Sequence, residues 1–83
     1  MKQQLKAKAH ALKPVVLLGS KGLTDAVLNE IDIALTAHEL IKIKLKGQDK
    51  AARSVTISKI CQTLEATLIQ CIGLTAILYR NNI

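Results

Sequence analysis

The sequence predicts an α/β fold with the element order α-β-α-β-α-β-β, in which helices pack on one mixed four-stranded sheet. Three observations predict it. The apolar residues change repeatedly between a helical period and a strand period. Short turns, half of them containing glycine, separate the segments. Leu, Ile and Val supply 27 of 83 residues, far more than in a disordered chain, so residues 1–83 are expected to form one domain with one core.

The first helix is predicted over residues 2–12, where an apolar stripe repeats at helical spacing. The stripe consists of Leu5, Ala9 and Leu12. Pro14 ends this helix, because the residue before a proline avoids the α region. The strand Val15–Leu18 is apolar at every position, which is typical of a strand inside a sheet that is covered on both sides. The first helix is a candidate for one of those covers.

The second helix is expected to begin after Thr24, a good N-cap, with Asp25 in the first turn where the helix dipole favours a negative charge. Its apolar residues at helical spacing are Val27, Leu28, Ile31, Ala34 and Leu35. His38 lies near its end, and we expect the imidazole to meet the last carbonyl groups.

The stretch Leu40–Lys46 alternates with a period of two, which predicts a strand with two different faces. The apolar face is Ile41, Ile43 and Leu45, and the opposite face is a row of Lys42, Lys44 and Lys46. Steps along one face are roughly 6.6–6.8 Å, near the spacing of successive phosphates in a nucleic-acid strand. The row could equally be a solvated face that resists aggregation.

The rest of the chain predicts a third helix and a hairpin. Asp49 can cap a helix that runs to about Leu64. Its expected apolar side is Ala52, Val55, Ile60, Cys61 and Leu64. Thr67–Ile72 and Thr75–Tyr79 are two strands joined around Gly73 and Leu74, so closely that they must form an antiparallel hairpin. Residues 81–83 are expected to fray.

The loop Gly19-Ser20-Lys21-Gly22 joins the first strand to the second helix. Two glycines let the backbone turn tightly, and they remove the side-chain bulk that keeps a phosphate away from backbone N–H groups. The following helix adds N–H groups and the positive end of its dipole, and Lys21 adds a cation. This pattern indicates a loop that holds a nucleic-acid backbone, although an ordinary strand-to-helix turn would have the same glycines.

The charge is basic and uneven. Twelve Lys and Arg residues face six acids, for a net charge of +6, and five lysines precede the first acid, Asp25. This indicates a polyanionic partner or, alternatively, a lysine-rich soluble surface. The chain has no Trp, no Phe and one Tyr, so base stacking is scarce and a GxxG-type clamp is favoured over a sheet lined with aromatics.

The same residues argue against several other classes. Cys61 and Cys71 lie in apolar runs and are expected to be free buried thiols in a reducing cytoplasm. No apolar run is long enough for a spanning helix, so no membrane partner is expected. The loop lacks the P-loop ending, the dinucleotide spacing and the nucleophile-turn pattern. The cysteines and the two histidines, His10 and His38, have no zinc-like spacing, so no catalytic residue, metal or cofactor is expected.

Four segments in this order resemble the YhbY-type CRM domain, named for chloroplast RNA splicing and ribosome maturation. They are Ala9–Pro14, Gly19–Thr24, His38–Lys44 and Leu78–Arg80. The resemblance covers nearly the whole chain and implies a fold similar to the C-terminal domain of translation initiation factor three. It also implies an RNA-contacting loop with help from nearby lysines. The loop residues are Gly19, Ser20, Lys21 and Gly22, and the lysines are Lys13, Lys42 and Lys44.

The resemblance has departures. Leu74 stands where relatives often carry a basic residue after the hairpin glycine, and Leu64–Ala66 lacks a glycine that relatives often have before the third strand. Some relatives continue into a basic tail beyond the position of Ile83. These differences concern how far an RNA footprint extends beyond the loop.

Stand-alone bacterial members look like RNA-binding proteins associated with precursors of the large ribosomal subunit. The resemblance therefore implies an assembly factor whose partner is ribosomal RNA of that precursor. We expect the protein to be a cytoplasmic monomer without enzymatic activity. The alternative is a protein-interaction module on ribosomal particles, with no direct RNA role.

Overall fold

The computed structural model describes residues 2–19 and 21–82. Its elements, in chain order, are α1 (Lys2–Ala9), β1 (Val16–Leu18), α2 (Asp25–His38), β2 (Leu40–Leu45), α3 (Lys50–Leu64), β3 (Thr67–Ile72) and β4 (Thr75–Tyr79). This order confirms the predicted α/β fold class.

The four strands form one mixed sheet in the order β1-β2-β4-β3. The strands β1 and β2 are parallel and are joined by α2, as a crossover connection requires. The strand β4 is antiparallel to both of its neighbours, β2 and β3, so it lies between them. An irregularity between Leu68 and Gln70 shifts the register of β3 against β4.

One side of the sheet, here called the helix-pair face, carries the main core. Helices α2 and α3 pack there against alternate residues of the strands, which is the pattern a pleated sheet dictates. The buried residues of this core are Val16, Leu18, Ile31, Leu35, Ile41, Ile43, Leu45, Ile57, Ile60, Ala76 and Leu78. The predicted inward set on β2 is therefore confirmed, since Ile41, Ile43 and Leu45 are all at most 1% exposed.

The opposite side, here called the α1 face, has a smaller apolar cluster. Helix α1 lies across β2 and β3 and buries its Ala9 against Ile69 and Ile77. Leu5, Leu12, Leu40 and Tyr79 pack around these three residues. Leu5 and Ala9 of the predicted stripe lie on α1, whereas Leu12 lies beyond its end. Helix α1 covers the sheet at β2 and β3, and not at the strand Val15–Leu18 that it was expected to cover.

Both predicted N-caps are confirmed. Thr24 Oγ1 accepts a hydrogen bond from the Val27 N–H (3.2 Å), and Asp49 Oδ1 accepts one from the Ala52 N–H (2.8 Å). These bonds satisfy amide groups that have no partner within the first turn of a helix.

Two expectations at the end of α2 are wrong. The carbonyl groups of Leu35 and Thr36 accept hydrogen bonds from Asn82 Nδ2 (3.0 Å each), so Asn82 takes the position expected for His38. The Asn82 N–H also donates to Glu39 Oε2 at 3.2 Å. The carboxyl-terminal residues are therefore tied to α2 as far as Asn82 rather than frayed, while Ile83 lies outside the described residues.

Arg80 also binds the carboxyl-terminal residues to α2. Its Nη1 donates to Asp32 Oδ1 (2.7 Å) and to the Leu64 carbonyl oxygen (3.2 Å), and its Nη2 donates to the Asp32 carbonyl oxygen (3.1 Å) and to Thr36 Oγ1 (2.8 Å). The guanidinium group thus joins α2 to the end of α3.

The prediction that Val15–Leu18 lies inside a sheet covered on both sides is also wrong. The strand β1 is an edge strand, and Val15 and Leu17 are 49% and 56% exposed. Only alternate positions of β1, Val16 and Leu18, are buried. An apolar run on an edge strand has the same composition as one inside a sheet, so composition could not separate the two.

Smaller differences concern the helices and cysteines. Helix α1 ends at Ala9, several residues before Pro14. On α3, Val55 is 64% exposed and Ile57 occupies the core instead. Both cysteines are free, as expected, but Cys61 is only partly buried and Cys71 is exposed. None of the helices in residues 2–19 and 21–82 has the length and apolar character that crossing a lipid bilayer requires.

Candidate nucleic-acid interface

The GxxG loop closes on itself as a tight turn. The Gly22 N–H donates a hydrogen bond to the Gly19 carbonyl oxygen at 3.0 Å, three residues back, as in a β-turn. Gly22 has φ = +73°, a conformation that favours glycine, whereas Gly19 does not have a positive φ. Only one of the two glycines is therefore needed for the backbone conformation.

The loop is open to solvent at its tip. Gly19 and Lys21 are exposed, and a Cβ atom added at Gly19 would meet no other atom within 4 Å. Ser20, the remaining predicted loop residue, lies outside the described residues. Gly19 and Lys21 are therefore not packed beneath other parts of the described chain, and a phosphate can approach them.

Behind the loop, the side chain of Gln48 lies close to Gly22. A Cβ atom on Gly22 would lie 3.0 Å from Gln48 Nε2, so glycine is needed for space as well as for its φ angle. Gln48 is fixed in turn by α3, because its Oε1 accepts from Thr56 Oγ1 (3.1 Å) and its carbonyl oxygen accepts from Arg53 Nη1 (2.7 Å). No motif in the sequence indicated that Gln48 lies beside Gly22.

The sheet topology brings these segments together. Because β1 and β2 are parallel, their carboxyl ends meet at one edge of the sheet, and the Lys46 N–H donates to the Leu18 carbonyl oxygen at 2.8 Å. The β3–β4 hairpin reaches the same edge, where the Leu45 N–H donates to the Leu74 carbonyl oxygen at 2.7 Å. The turn that contains Gln48 follows β2, and the GxxG loop follows β1. Parallel pairing of β1 with β2 therefore places this turn beside the loop.

The amino end of α2 contributes less than the sequence indicated. Its Val27 N–H is already bonded to Thr24 Oγ1, and Asp25 places a carboxylate in the first turn. The positive end of the helix dipole is thus partly compensated by the chain itself. The main attraction for an anion at this edge comes from Lys21 and the lysines of β2.

The lysine row, defined as Lys42, Lys44 and Lys46, runs along β2 toward the loop. Lys42 and Lys44 are partly buried on the α1 face, and Lys46 is exposed beyond the end of the strand. Lys44 is in register with Leu17, two residues before Gly19. Four residues of strand span about 13 Å, so the row extends that far from the loop edge.

At the other end of the row lies a groove of about 590 Å³, here called the Tyr79 groove. It is formed by the end of α1, the start of β2 and the end of β4. Its polar and aromatic lining residues are Lys8, Lys13, His38, Glu39, Lys42 and Tyr79. The structure therefore brings Lys13 and Lys42 together, but places them at the opposite end of β2 from the loop.

The predicted site residues thus form two groups. Gly19, Lys21 and Gly22 lie at the loop, Lys13 and Lys42 lie at the groove, and Lys44 lies between them on β2. The part of the chain that the structure describes contains no group of three His, Cys, Asp or Glu side chains that could hold a metal ion.

Comparison with known proteins identifies relatives over the whole of this arrangement. The chain is 48% identical to an "RNA-binding protein" of Haemophilus influenzae over 79 residues, which are 95% of this chain and 80% of the relative. It is 41% identical to a "Probable RNA-binding protein" of Pseudomonas aeruginosa over 81 residues, covering 98% of this chain and 78% of the relative. A "Probable RNA-binding protein" of Bacillus subtilis is 31% identical over 98% of this chain and 84% of its own length.

The fold has a close counterpart among solved structures. The solution structure of a Staphylococcus aureus protein superposes with a TM-score of 0.87, at 24% sequence identity, over 99% of this chain and 85% of that one. The model of the CRS1/YhbY (CRM) domain family matches residues 1–80. These matches confirm the resemblance that four segments of the sequence indicated: the chain belongs to the CRS1/YhbY (CRM) domain family.

Proposed function

We propose that this protein binds RNA through the GxxG loop and the lysine row, and that it acts as an assembly factor on precursors of the large ribosomal subunit. Relatives named as RNA-binding proteins support the first part. The second part rests on the resemblance to stand-alone bacterial members of the family. We further propose that it acts as a monomer in the cytoplasm, without catalysis.

The observation that carries the proposal is the exposed loop with lysines on one side of it and a fixed support behind it. Gln48 lies behind Gly22, while Gly19 and Lys21 remain open to solvent. Lys44 and Lys46 continue the positive charge along β2. A backbone-binding site of this kind needs no base readout, because phosphates supply charge at every nucleotide.

Salt dependence tests the proposal directly. Each lysine that contacts a phosphate releases counterions, so the affinity for precursor large-subunit RNA should fall linearly with salt on logarithmic axes. We expect Lys21→Asp to weaken binding and to reduce the slope by about one, since a single phosphate contact is lost. Its free energy of unfolding should stay within about 0.5 kcal/mol of the parent, as for most exposed positions.

Lys59→Asp is the matched control. Lys59 is exposed on α3. The start of α3, at Lys50, follows the turn that contains Gln48, and nine helical residues place Lys59 about 13 Å further along the helix. The two variants change the net charge equally, so a loss confined to Lys21→Asp would locate the contact at the loop. Equal losses would indicate general attraction only, and a flat salt response of the parent would contradict RNA binding.

A specific feature favours the alternative, a protein-interaction module. The edge strand β3 and its hairpin expose Leu68, Ile72 and Leu74, which are 37%, 57% and 38% exposed. A groove of about 770 Å³ lies between α3 and β3. Partners that remain bound to the purified protein after nuclease treatment would favour this function, whereas partners lost on treatment would favour RNA. Nucleotide turnover by the purified chain would contradict the absence of catalysis.

A further inference from the structure

The Tyr79 groove collects positive charge at the end of the sheet that is remote from the GxxG loop. Lys8, Lys13 and Lys42 line it together with His38, and Lys8 and Lys13 are exposed. The one acid of the lining, Glu39, is already engaged, because its Oε2 accepts a hydrogen bond from the Asn82 N–H at 3.2 Å. Three ammonium groups therefore face one carboxylate, which favours an anionic ligand.

The groove also contains the only aromatic residue of the chain. Tyr79 is partly buried, packs against the small cluster on the α1 face, and is in register with Leu40 on β2. An aromatic ring held by aliphatic neighbours is a suitable platform for a nucleobase, since every base has a π face. No other position in the chain carries a Tyr, Phe or Trp ring.

The strands β1 and β2 run from the groove to the loop. The Val15 N–H donates to the Lys42 carbonyl oxygen at 2.9 Å, so the groove begins where these two strands begin. Leu17 and Lys44 are paired in the middle, and the Leu18 carbonyl oxygen is bonded to Lys46 where the strands end. Exposed Val15 and Leu17 leave this path open on the α1 face.

We propose that the Tyr79 groove is a nucleotide subsite that takes one unpaired base of an RNA strand whose backbone is held at the GxxG loop. The base stacks on Tyr79, and Lys8, Lys13 and Lys42 bind the phosphates beside it. The base must be unpaired, because bases inside a duplex are already stacked on one another. This inference rests on the proposed RNA-binding function and adds to it a preference for single-stranded RNA.

Intrinsic fluorescence provides a direct test, because Tyr79 is the only tyrosine and the chain has no tryptophan. The protein is titrated with an oligoadenosine of about eight nucleotides, a typical single-strand site size. Parallel titrations use an abasic ribose-phosphate oligomer of the same length and a blunt RNA duplex. We expect tyrosine quenching by oligoadenosine only. Equal quenching by all three ligands, or none by oligoadenosine while it binds, would overturn the subsite.

Affinities of the variants for labelled oligoadenosine provide the second readout. Tyr79→Leu should weaken binding about five- to 150-fold, as expected for loss of one stacked base, and Tyr79→Phe should retain most of the affinity. If Tyr79→Leu fails to fold, Tyr79→Phe and the double variant Lys8→Gln/Lys13→Gln decide. The double variant should reduce the salt slope by about 1.4, the value for two contacts with a single strand.

The outcomes separate this inference from the proposed function. If Lys21→Asp weakens binding of the precursor RNA while the Tyr79 and lysine variants change nothing, the loop binds RNA and the subsite is wrong. If the parent protein binds neither the precursor RNA nor oligoadenosine, both proposals fail. Polyglutamate that competes as well as oligoadenosine would show that the groove recognises charge without a base, and would also overturn the subsite.

Discussion

The two faces of the sheet differ in how completely they are covered. On the helix-pair face, α2 and α3 seal a core with eleven buried residues within the described chain, whereas the α1 face buries only Ala9, Ile69 and Ile77. The strand β2 contributes to both faces, with buried aliphatic residues on the helix-pair face and lysines on the α1 face. Because one face supplies most of the stability, the other can carry charge and an open groove.

Adjacent leucines on β1 provide the sharpest test of this comparison. Leu18 is 0% exposed on the helix-pair face, and Leu17 is 56% exposed on the α1 face. Leu18→Ala should lower the free energy of unfolding by about 2–5 kcal/mol, because it removes buried area and leaves a cavity. Leu17→Ala, the matched control, should change it by about 0.5 kcal/mol or less. Equilibrium urea unfolding measures both, and similar losses would contradict the difference between the faces.

Variants of Arg80 and Asp32 test which contacts of Arg80 stabilise the helix-pair face. Arg80→Met should cost about 1–3 kcal/mol, because it removes the hydrogen bonds that the guanidinium group donates to the Asp32 and Leu64 carbonyl oxygens. Asp32→Asn should cost less than about 1 kcal/mol, since the Asp32 side chain is 47% exposed and its ion pair is screened by solvent. Thermal melts of the two variants compare them. Equal losses would mean that the ion pair, and not the carbonyl contacts, stabilises the region.

The two glycines of the loop should respond differently to substitution. Gly22→Ala should cost about 1–2 kcal/mol, because alanine at a positive φ is strained and its Cβ would approach Gln48 Nε2. Gly19→Ala has neither problem and should leave the free energy of unfolding within about 0.5 kcal/mol of the parent. If Gly19→Ala still weakens RNA binding, the space above Gly19 is needed by the ligand. Equal destabilisation by both would contradict the assigned geometry.

The reactivity of the two cysteines tests how well solvent is excluded from the helix-pair face near β3. Burial raises the pKa of the Cys61 thiol, so less of it is thiolate at neutral pH, while Cys71 is exposed. Iodoacetamide should therefore label Cys71 first, and a higher pH should accelerate labelling of Cys61. Mass spectrometry of the labelled peptides gives the two rates. Faster labelling of Cys61 at neutral pH would mean that this margin opens readily.

Local chemistry made most element boundaries predictable. The caps Thr24 and Asp49 and the hairpin around Gly73 each depend on residues a few positions apart, and all three were confirmed. The edge position of β1 was not predictable, because Val15 and Leu17 have the composition of buried residues and are nevertheless exposed. Asn82 was missed for a related reason, since its partners on α2 lie 46 and 47 residues away in sequence.

The candidate site also has some features that could be predicted from the sequence and others that could not. The residue types of the loop and the lysine row could be read from the sequence, because turn formation and strand alternation are local. The role of Gln48 depends on the parallel pairing of β1 with β2, and the composition of the Tyr79 groove depends on α1, β2 and β4 meeting. No spacing along the chain indicates that Tyr79 lies beside Lys8 and Lys13.

The sequence alone determined the order of the helices and strands, the inward set of β2, the loop with its exposed lysine, and the family. Each of these depends on interactions between near neighbours or on motifs of a few residues. The tertiary structure decided which strand lies at the edge, how far the α1 face is covered, and which lysines share a groove with Tyr79. These features depend on strand order and helix placement, which pair residues that are distant in the chain.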